Sequence, residues 1–301
     1  MTIAFAHSGE LHPTVVPEVS LLFDWGADPV FLPLLLAAWL YLRGLRAYRA
    51  KGGTRFPRWR PWLFLLGVLV AAAALLSPID LLAEYSFTWH MAQHQLLVLV
   101  APPLLLLGAP FLMVVRGIPP GLRRRVFVPV AKNPLVRAAL IHGTRPIVGL
   151  LLLQGALWFW HFPAFYDRAL GNIWWHYGEH FSFVVGAGLF WWNIVTPFPF
   201  PARLNYLLRM LLLFLSSVFN TALGAMLTFA DTVLYRYSAV ESFWSLPMLV
   251  EQTMGAALMW VVGAMMHLVA ILAVFAVYAH RENRKEPPRA LYLSRRPAAG
   301  E

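Results

Sequence analysis

The sequence predicts an all-α polytopic membrane protein with seven transmembrane helices, the N-terminus outside and the C-terminus cytoplasmic. Three observations predict it. Of 301 residues, 59% are hydrophobic and 13% charged, against about 25% charged in ordinary soluble domains. Long apolar runs recur along the chain, each near the ~20 residues a helix needs to cross a bilayer. Lysine and arginine fall in alternate connections, the pattern by which basic loops stay cytoplasmic.

The expected helices lie near residues 29–45, 62–77, 87–114, 146–161, 176–195, 204–228 and 247–279. The first is short in clean apolar length, because Pro33 and Arg43 interrupt it. The third carries Pro102 and Pro103, which remove backbone donors and predict a kink or an early end. The last exceeds what a bilayer needs and is expected to tilt or to extend into the cytoplasm. The 13 Trp and 10 Tyr suit the aromatic belts at the two interfaces.

Orientation follows from the basic residues. Seven lie in 43–60 (Arg43, Arg46, Arg49, Lys51, Arg55, Arg58, Arg60) and seven in 116–145 (Arg116, Arg123, Arg124, Arg125, Lys132, Arg137, Arg145). Arg203 and Arg209 flank the next turn on that side, and Arg281, Arg284, Lys285, Arg289, Arg295 and Arg296 fill the C-terminal tail. The opposite connections hold only Arg168 and Arg236, a split of 22 against 2. Acids follow the reverse pattern, with Glu10, Glu18, Asp24, Asp28, Asp80, Glu84, Asp167, Asp231 and Glu241 all on the outer side. The chain therefore divides into an outer N-terminal tail (1–28), a seven-helix transmembrane domain (29–280) and a basic cytoplasmic tail (281–301). No basic residue precedes the first apolar run, so the start does not read as a secretory signal. The net charge of +10 is a topology signal; it does not point to nucleic acid. The basic tail is expected to anchor to anionic membrane lipids.

Ionisable groups inside spans are costly and need a reason. His90 and His94 stand at i and i+4 at the start of the third helix, and His176 and His180 repeat the spacing at the start of the fifth. His161 closes the fourth helix, and Glu251 opens the last one. All lie at the outer rim by this topology. The i,i+4 spacing stacks both rings of a pair on one helix face. A neutral imidazole there keeps the lone pair that a metal requires. Met91, Met226, Met248 and Met254 occur at similar depth, and imidazole with thioether suits copper, Cu(I) above all. The blander alternative is that interfacial histidines serve as amphipathic anchors and methionines as packing. Glu179, between His176 and His180, is expected to point off their shared face and to orient a neighbour. His267, deep in the last helix, reads as part of a proton path or as a packed polar contact. His7 and His12 lie in the outer tail, and His142 and His280 read as loop residues.

Other chemistry is absent from the sequence. There is no cysteine, which removes disulfides, thiolate metal sites and cysteine catalysis. No Gly-rich phosphate loop, H-E-x-x-H or G-x-S-x-G motif occurs.

The segments around these residues resemble a known family. His90-Met-Ala-Gln-His94 continuing to Ala101-Pro-Pro103 and Gly108-Ala-Pro110, then Trp160-His161-Phe-Pro163 with Tyr166, then His176 to His180 with Phe190-Trp-Trp192, and last Glu251-Gln252 with Gly255 and Trp260, are similar to the seven-helix CtaG-type assembly factors of caa3-type cytochrome c oxidase. The resemblance runs from about Trp25 to Tyr278, and Glu251 departs from the Asp expected at its position. It implies a multi-pass protein of the bacterial plasma membrane that helps mature a copper-containing oxidase. Copper would be bound or delivered at the periplasmic or exterior face, in partnership with oxidase subunits or other copper chaperones. The ligand candidates are His90, His94, His161, His176, His180, Met91 and Met254, with Glu251 as ligand or charge-balancing acid. No catalytic residue is expected. The competing expectation is an intramembrane zinc-dependent hydrolase built on the same histidines and Glu251; bis-histidine haem ligation and transport rank below it.

Overall fold

The computed structural model describes residues 25–26, 28–235, 237 and 246–285. The histidines at 7 and 12, the acids at 10, 18, 24 and 241, Arg236 and the tail beyond Lys285 lie outside the described residues. Among the described residues there are helices and no strands.

A short 3-10 turn, Pro29–Phe31, leads into α1 (Leu32–Ala50), followed by α2 (Trp59–Leu76), α3 (Pro78–Tyr85), α4 (Phe87–Leu107) and α5 (Pro110–Gly117). A bent segment, α6 (120–132), and α7 (Pro134–Gly143) precede α8 (Pro146–Trp160), α9 (Pro163–Gly171), α10 (Ile173–Val195), α11 (Tyr206–Thr228) and α12 (Met248–Lys285). The local chemistry explains the boundaries. Pro78, Pro110, Pro134, Pro146 and Pro163 each stand at the first helical position, where a missing N–H costs nothing. Ser77, Ser86, Asn133, Asn172 and Asn205 cap helix starts by accepting from backbone N–H groups.

The seven expected segments each meet a helix, though not every one of those helices has by itself the length and composition of a crossing. Among the described residues, five helices are long and apolar enough to cross a membrane: Pro29–Ala50, α2, α4, α11 and α12. A sixth is reached if α7 and α8, bent by 71° at their junction, count as one crossing. At 15 residues α8 alone is only ~22 Å long. The 23-residue α10 is long enough but carries His176, Glu179, His180 and Asn193. Large apolar side chains such as Leu36, Leu69, Leu151, Phe214 and Leu272 are exposed around the bundle, as a lipid-facing surface requires. The chain is a membrane protein.

The third helix ends early, as its prolines predict, although it first runs through both of them: it stops at Leu107, short of 114, and α5 starts separately after Ala109, which takes φ 52°. Two adjustments carry α4 through the prolines. The turn Leu96–Val100 widens to a π-helix, and the Val98 carbonyl, four residues before Pro102, accepts from Trp191 Nε1 at 2.8 Å. The donor that proline removes is supplied from α10. His142 and His280 lie within α7 and α12, and are not loop residues.

α4 is the centre of the bundle: 61% of its apolar window is buried, against 11% for α12. It packs on α2, α10 and α12. Around it, helices meet at glycines. A Cβ on Gly44 of α1 would run into the Met113 carbonyl of α5, and one on Gly117 into the Leu40 carbonyl. Tyr41 stacks on Phe64 at 4.0 Å and donates to the Gly108 carbonyl at 3.0 Å, tying α1 to the end of α4. Because backbone meets backbone there, no rotamer change can make room for a side chain. Gly44→Val or Gly117→Val is therefore expected to destabilise the protein by about 1–3 kcal/mol, read as an earlier thermal transition in detergent; Gly155→Val, whose Cβ would meet nothing within 4 Å, should leave the transition near wild type.

Candidate metal centre

Three helix ends converge beneath one rim of the bundle. The first turns of α4 bring His90 and His94, the first turns of α10 bring His176, Glu179 and His180, and the last residue after α8 is His161. All six are buried, Glu179 and His180 completely. The rings form one contiguous set: centroids are 4.3 Å apart for His90–His94, 4.1 Å for His176–His180, 5.9 Å for both His90–His176 and His94–His180, and 6.4 Å for His94–His161.

Glu179 sits inside this set, which corrects the expectation that it points away. Its Oε1 lies 3.7 Å from His90 Nε2 and 3.6 Å from His94 Nε2. One atom from each of His90, His94 and Glu179 fits within a 4.8 Å span. The reason is helical geometry: three residues after His176, Glu179 still shares its broad face, and that face meets α4. The sequence signal was an acid in the first turns of a span.

These atoms lack the partners that burial demands. His90 Nε2, both nitrogens of His94, His180 Nε2 and both carboxylate oxygens of Glu179 are buried without a hydrogen bond. Each such group costs about 1–3 kcal/mol, and several gathered in one place form a set that could hold an ion. Imidazole nitrogens and a carboxylate are ligand atoms for Cu(II) or zinc.

Other groups set the orientation of the ligands. Asp28, read from sequence only as an outer acid, is buried and accepts from Val30 N at 2.7 Å through Oδ1. Its Oδ2 lies 3.0 Å from His180 Nδ1, so Nδ1 donates to Asp28 and, in the neutral ring, the lone pair is on Nε2. A carboxylate behind an imidazole is the arrangement that orients metal-binding histidines. Gln93 Nε2 donates to Asp80 Oδ1 at 2.6 Å and to the Ala74 carbonyl at 2.9 Å, fixing α3 against α4. Sequence reasoning missed Asp28 and Gln93, whose roles exist only across helices.

The remaining candidates separate. His161 donates from Nδ1 to the Leu157 carbonyl at 2.7 Å, and its Nε2 faces Met91 Sδ at 3.3 Å, so Met91 borders the cluster from its soft side. Met254 is about half exposed (49%) on α12, in contrast to the buried histidines. Glu251 is buried but engaged elsewhere: its Oε1 accepts from Ser86 Oγ at 2.6 Å and from Thr88 N at 2.7 Å. It caps α4, where a negative charge meets the positive end of the helix dipole. A roof of tyrosines closes the other side, with Tyr166 and Tyr237 hydroxyls 2.5 Å apart and Tyr235 donating to the His161 carbonyl at 2.5 Å.

With this geometry in view, the comparisons with known proteins decide the relationship. The model of the cytochrome c oxidase caa3 assembly factor family (Caa3_CtaG) matches residues 39–280. The chain belongs to that family. Every helix contributing to the histidine cluster lies within the match. Uncharacterized proteins of Mycobacterium leprae and Mycobacterium bovis are each 27% identical over 253 residues, 81% of this chain. The chain spans 38% and 37% of their respective lengths. No solved structure matches.

Between the spans, α3 carries two acids whose protonation burial alters. Asp80 is pushed up to about 6 by burial, opposed by His180 and by the Gln93 hydrogen bond. Glu84 is pushed up to about 9, by burial first and then by the neighbouring Asp80. A carboxyl raised in the folded state takes up a proton on folding, so its contribution to stability is greatest at low pH and declines as pH rises towards the folded value. Glu84→Gln removes this dependence. The melting temperature of wild type is expected to fall progressively relative to Glu84→Gln from about pH 5 up to about pH 9, then to run parallel. A constant offset across that range would show that Glu84 is ionised like a surface carboxylate.

Proposed function

We propose that this chain is a seven-span, non-enzymatic assembly factor that holds copper for a caa3-type oxidase at the outer rim of the bacterial plasma membrane. The observation that carries the reading is the set of buried lone-pair atoms from His90, His94, His180 and Glu179 without hydrogen bonds, in a chain of the oxidase assembly family. The 22-to-2 partition of basic residues supports N-out topology, which puts this rim on the periplasmic or exterior side.

Copper is cargo in this reading. His90, His94 and Glu179 form the receiving set, His176 and His180 stand within one ring contact, and Asp28 holds His180 in the tautomer that presents Nε2. Two imidazoles and a carboxylate suit Cu(II), whereas the His161–Met91 side supplies the nitrogen and thioether that suit Cu(I). Two sides of different softness fit a protein that can hold copper in either oxidation state before passing it, unchanged in charge, to oxidase subunits or other copper chaperones. Met254 and Glu251 are the weaker ligand candidates, the first for its exposure and the second for its capping role. One observation favours the zinc-hydrolase alternative: two histidines and a glutamate are also the ligands of hydrolytic zinc sites.

Metal content separates the readings. Purified protein loaded with copper or zinc and freed of excess metal should retain about one copper per chain, with zinc displaced by copper. His90→Ala/His94→Ala and Glu179→Gln should lose it while eluting as wild type does. Copper retention unchanged in both variants, or no retention by wild type, overturns the copper site. Zinc retained against excess copper, with zinc-dependent lipid hydrolysis, would install the hydrolase in its place.

Asp28→Asn tests the support behind the cluster. It is expected to weaken copper binding by about 10–100-fold without abolishing it, measured by competition with a chelator of known affinity. Wild-type affinity in Asp28→Asn would show that His180 is not part of the receiving set.

A further inference from the structure

At the arginine-rich end of the bundle, opposite the histidine rim in sequence order, α1 and α2 splay apart around a cavity of about 640 Å³. Its apolar wall is lined by Leu42 and Leu45 from α1 and Trp62 and Leu65 from α2. Two arginines also line it, Arg49 at the end of α1 and Arg58 just before α2, both exposed. The connecting loop closes the back: Gly53 lies against the Tyr48 ring, which meets Phe56 edge-on at 6.2 Å and carries Arg116 over its face at 4.9 Å.

We propose that this cavity binds one anionic glycerophospholipid, its phosphate between Arg49 and Arg58 and an acyl chain along Leu42, Leu65 and Trp62. Three observations support this occupant. The volume lies in the range of specific small-molecule sites. No Asp or Glu occurs between Asp28 and Asp80, so α1, α2 and their loop bring no carboxylate to the two arginines. Their complement has to come from outside those segments, and anionic lipid headgroups are the anions at the basic side of a membrane. The apolar wall continues onto lipid-facing surface, where Trp62 is 73% exposed and Trp59, Leu66 and Leu69 are exposed beside it. A soluble anion would use the arginines and leave this wall in water. A phospholipid uses both, because its charged head and apolar tail are fixed at the spacing of an interface.

The site is independent of the metal reading and is tested on the full-length protein in detergent by native mass spectrometry. The probes are phosphatidylglycerol, phosphatidylcholine with the same acyl chains, and inorganic phosphate. Wild type is expected to hold phosphatidylglycerol in preference to phosphatidylcholine, and excess phosphate should not displace it. Arg49→Gln/Arg58→Gln should lower retention by about tenfold or more, Arg49→Lys/Arg58→Lys should restore most of it, and Arg124→Gln/Arg125→Gln, which removes two charges from α6, should leave it unchanged. Equal retention of the two lipids, displacement by phosphate, wild-type retention in Arg49→Gln/Arg58→Gln, or an equal loss in the α6 variant would each overturn the proposal.

Discussion

Burying a carboxylate between imidazoles at the rim of an apolar bundle is the constraint on which the rest of this structure depends. Glu179 is fully buried 3.6–3.7 Å from two histidine nitrogens, and neither of its oxygens accepts a hydrogen bond. Buried carboxylate oxygens without hydrogen bonds cost about 1–3 kcal/mol or more, and the two neighbouring imidazoles are too far for a hydrogen bond to offset it. What holds the groups in place is therefore rigid placement of three helix ends, with each backbone fixed by contacts made away from the cluster. A cation at the centre would reverse the sign of the electrostatic balance, turning a concentration of lone pairs from a cost into a receptor.

The central helix shows how that placement is achieved. α4 must present His90 and His94 at its first turns and still run past two prolines to reach the other side. Glu251 fixes its beginning by accepting from Ser86 Oγ and Thr88 N, and Thr88 Oγ1 returns a bond to the Glu251 carbonyl at 3.2 Å. Gln93, on the next turn, is clamped to α3 and thereby rotates the histidine face towards α10. Lower down, the π turn before Pro102 and the indole of Trp191 absorb the defect that the prolines create. Trp191 and Glu179 belong to the same helix, so α10 both repairs α4 and completes the cluster. Displacing α10 would undo the two together.

Much of this was legible in the sequence, and the limits have physical causes. Periodicity and hydropathy placed the helices because burial in lipid leaves little freedom in composition. The i,i+4 histidine pairs were legible because both members lie on one helix, where spacing is geometry. Glu179 was read as pointing away and instead stands within 3.7 Å of two histidine nitrogens, whereas Glu251, read as a ligand or charge-balancing acid, accepts from Ser86 and Thr88; sequence spacing reports one helix at a time, and these contacts are made across helices. Asp28 was hidden for the same reason: 152 positions separate it from His180. The start of α4 and the disturbance at its prolines were legible, but not where the helix would stop, because proline's effect depends on whether a neighbour replaces the lost donor, and Trp191 does so from 93 positions away.

A second polar group inside the bundle shows why unsatisfied atoms, and not polarity alone, mark the site. His267 is as buried as His90, and from sequence it read as part of a proton path or as a packed polar contact. Both of its nitrogens are used. Nδ1 donates to the Gly263 carbonyl one turn back at 2.7 Å, and Nε2 accepts from Ser216 Oγ at 3.0 Å. Ser216 in turn accepts from Gln154 Nε2 at 2.8 Å, so a defined chain of donors joins α8, α11 and α12. A histidine whose lone pair is occupied by a neighbour gains little from a metal and would have to break a buried hydrogen bond to bind one. His90, His94 and His180 face no such cost, since their Nε2 atoms have nothing to give up. The same residue type in the same apolar surroundings thus stands in two states: at His267 it fastens helices together, and in the cluster its Nε2 atoms are left without a protein hydrogen bond.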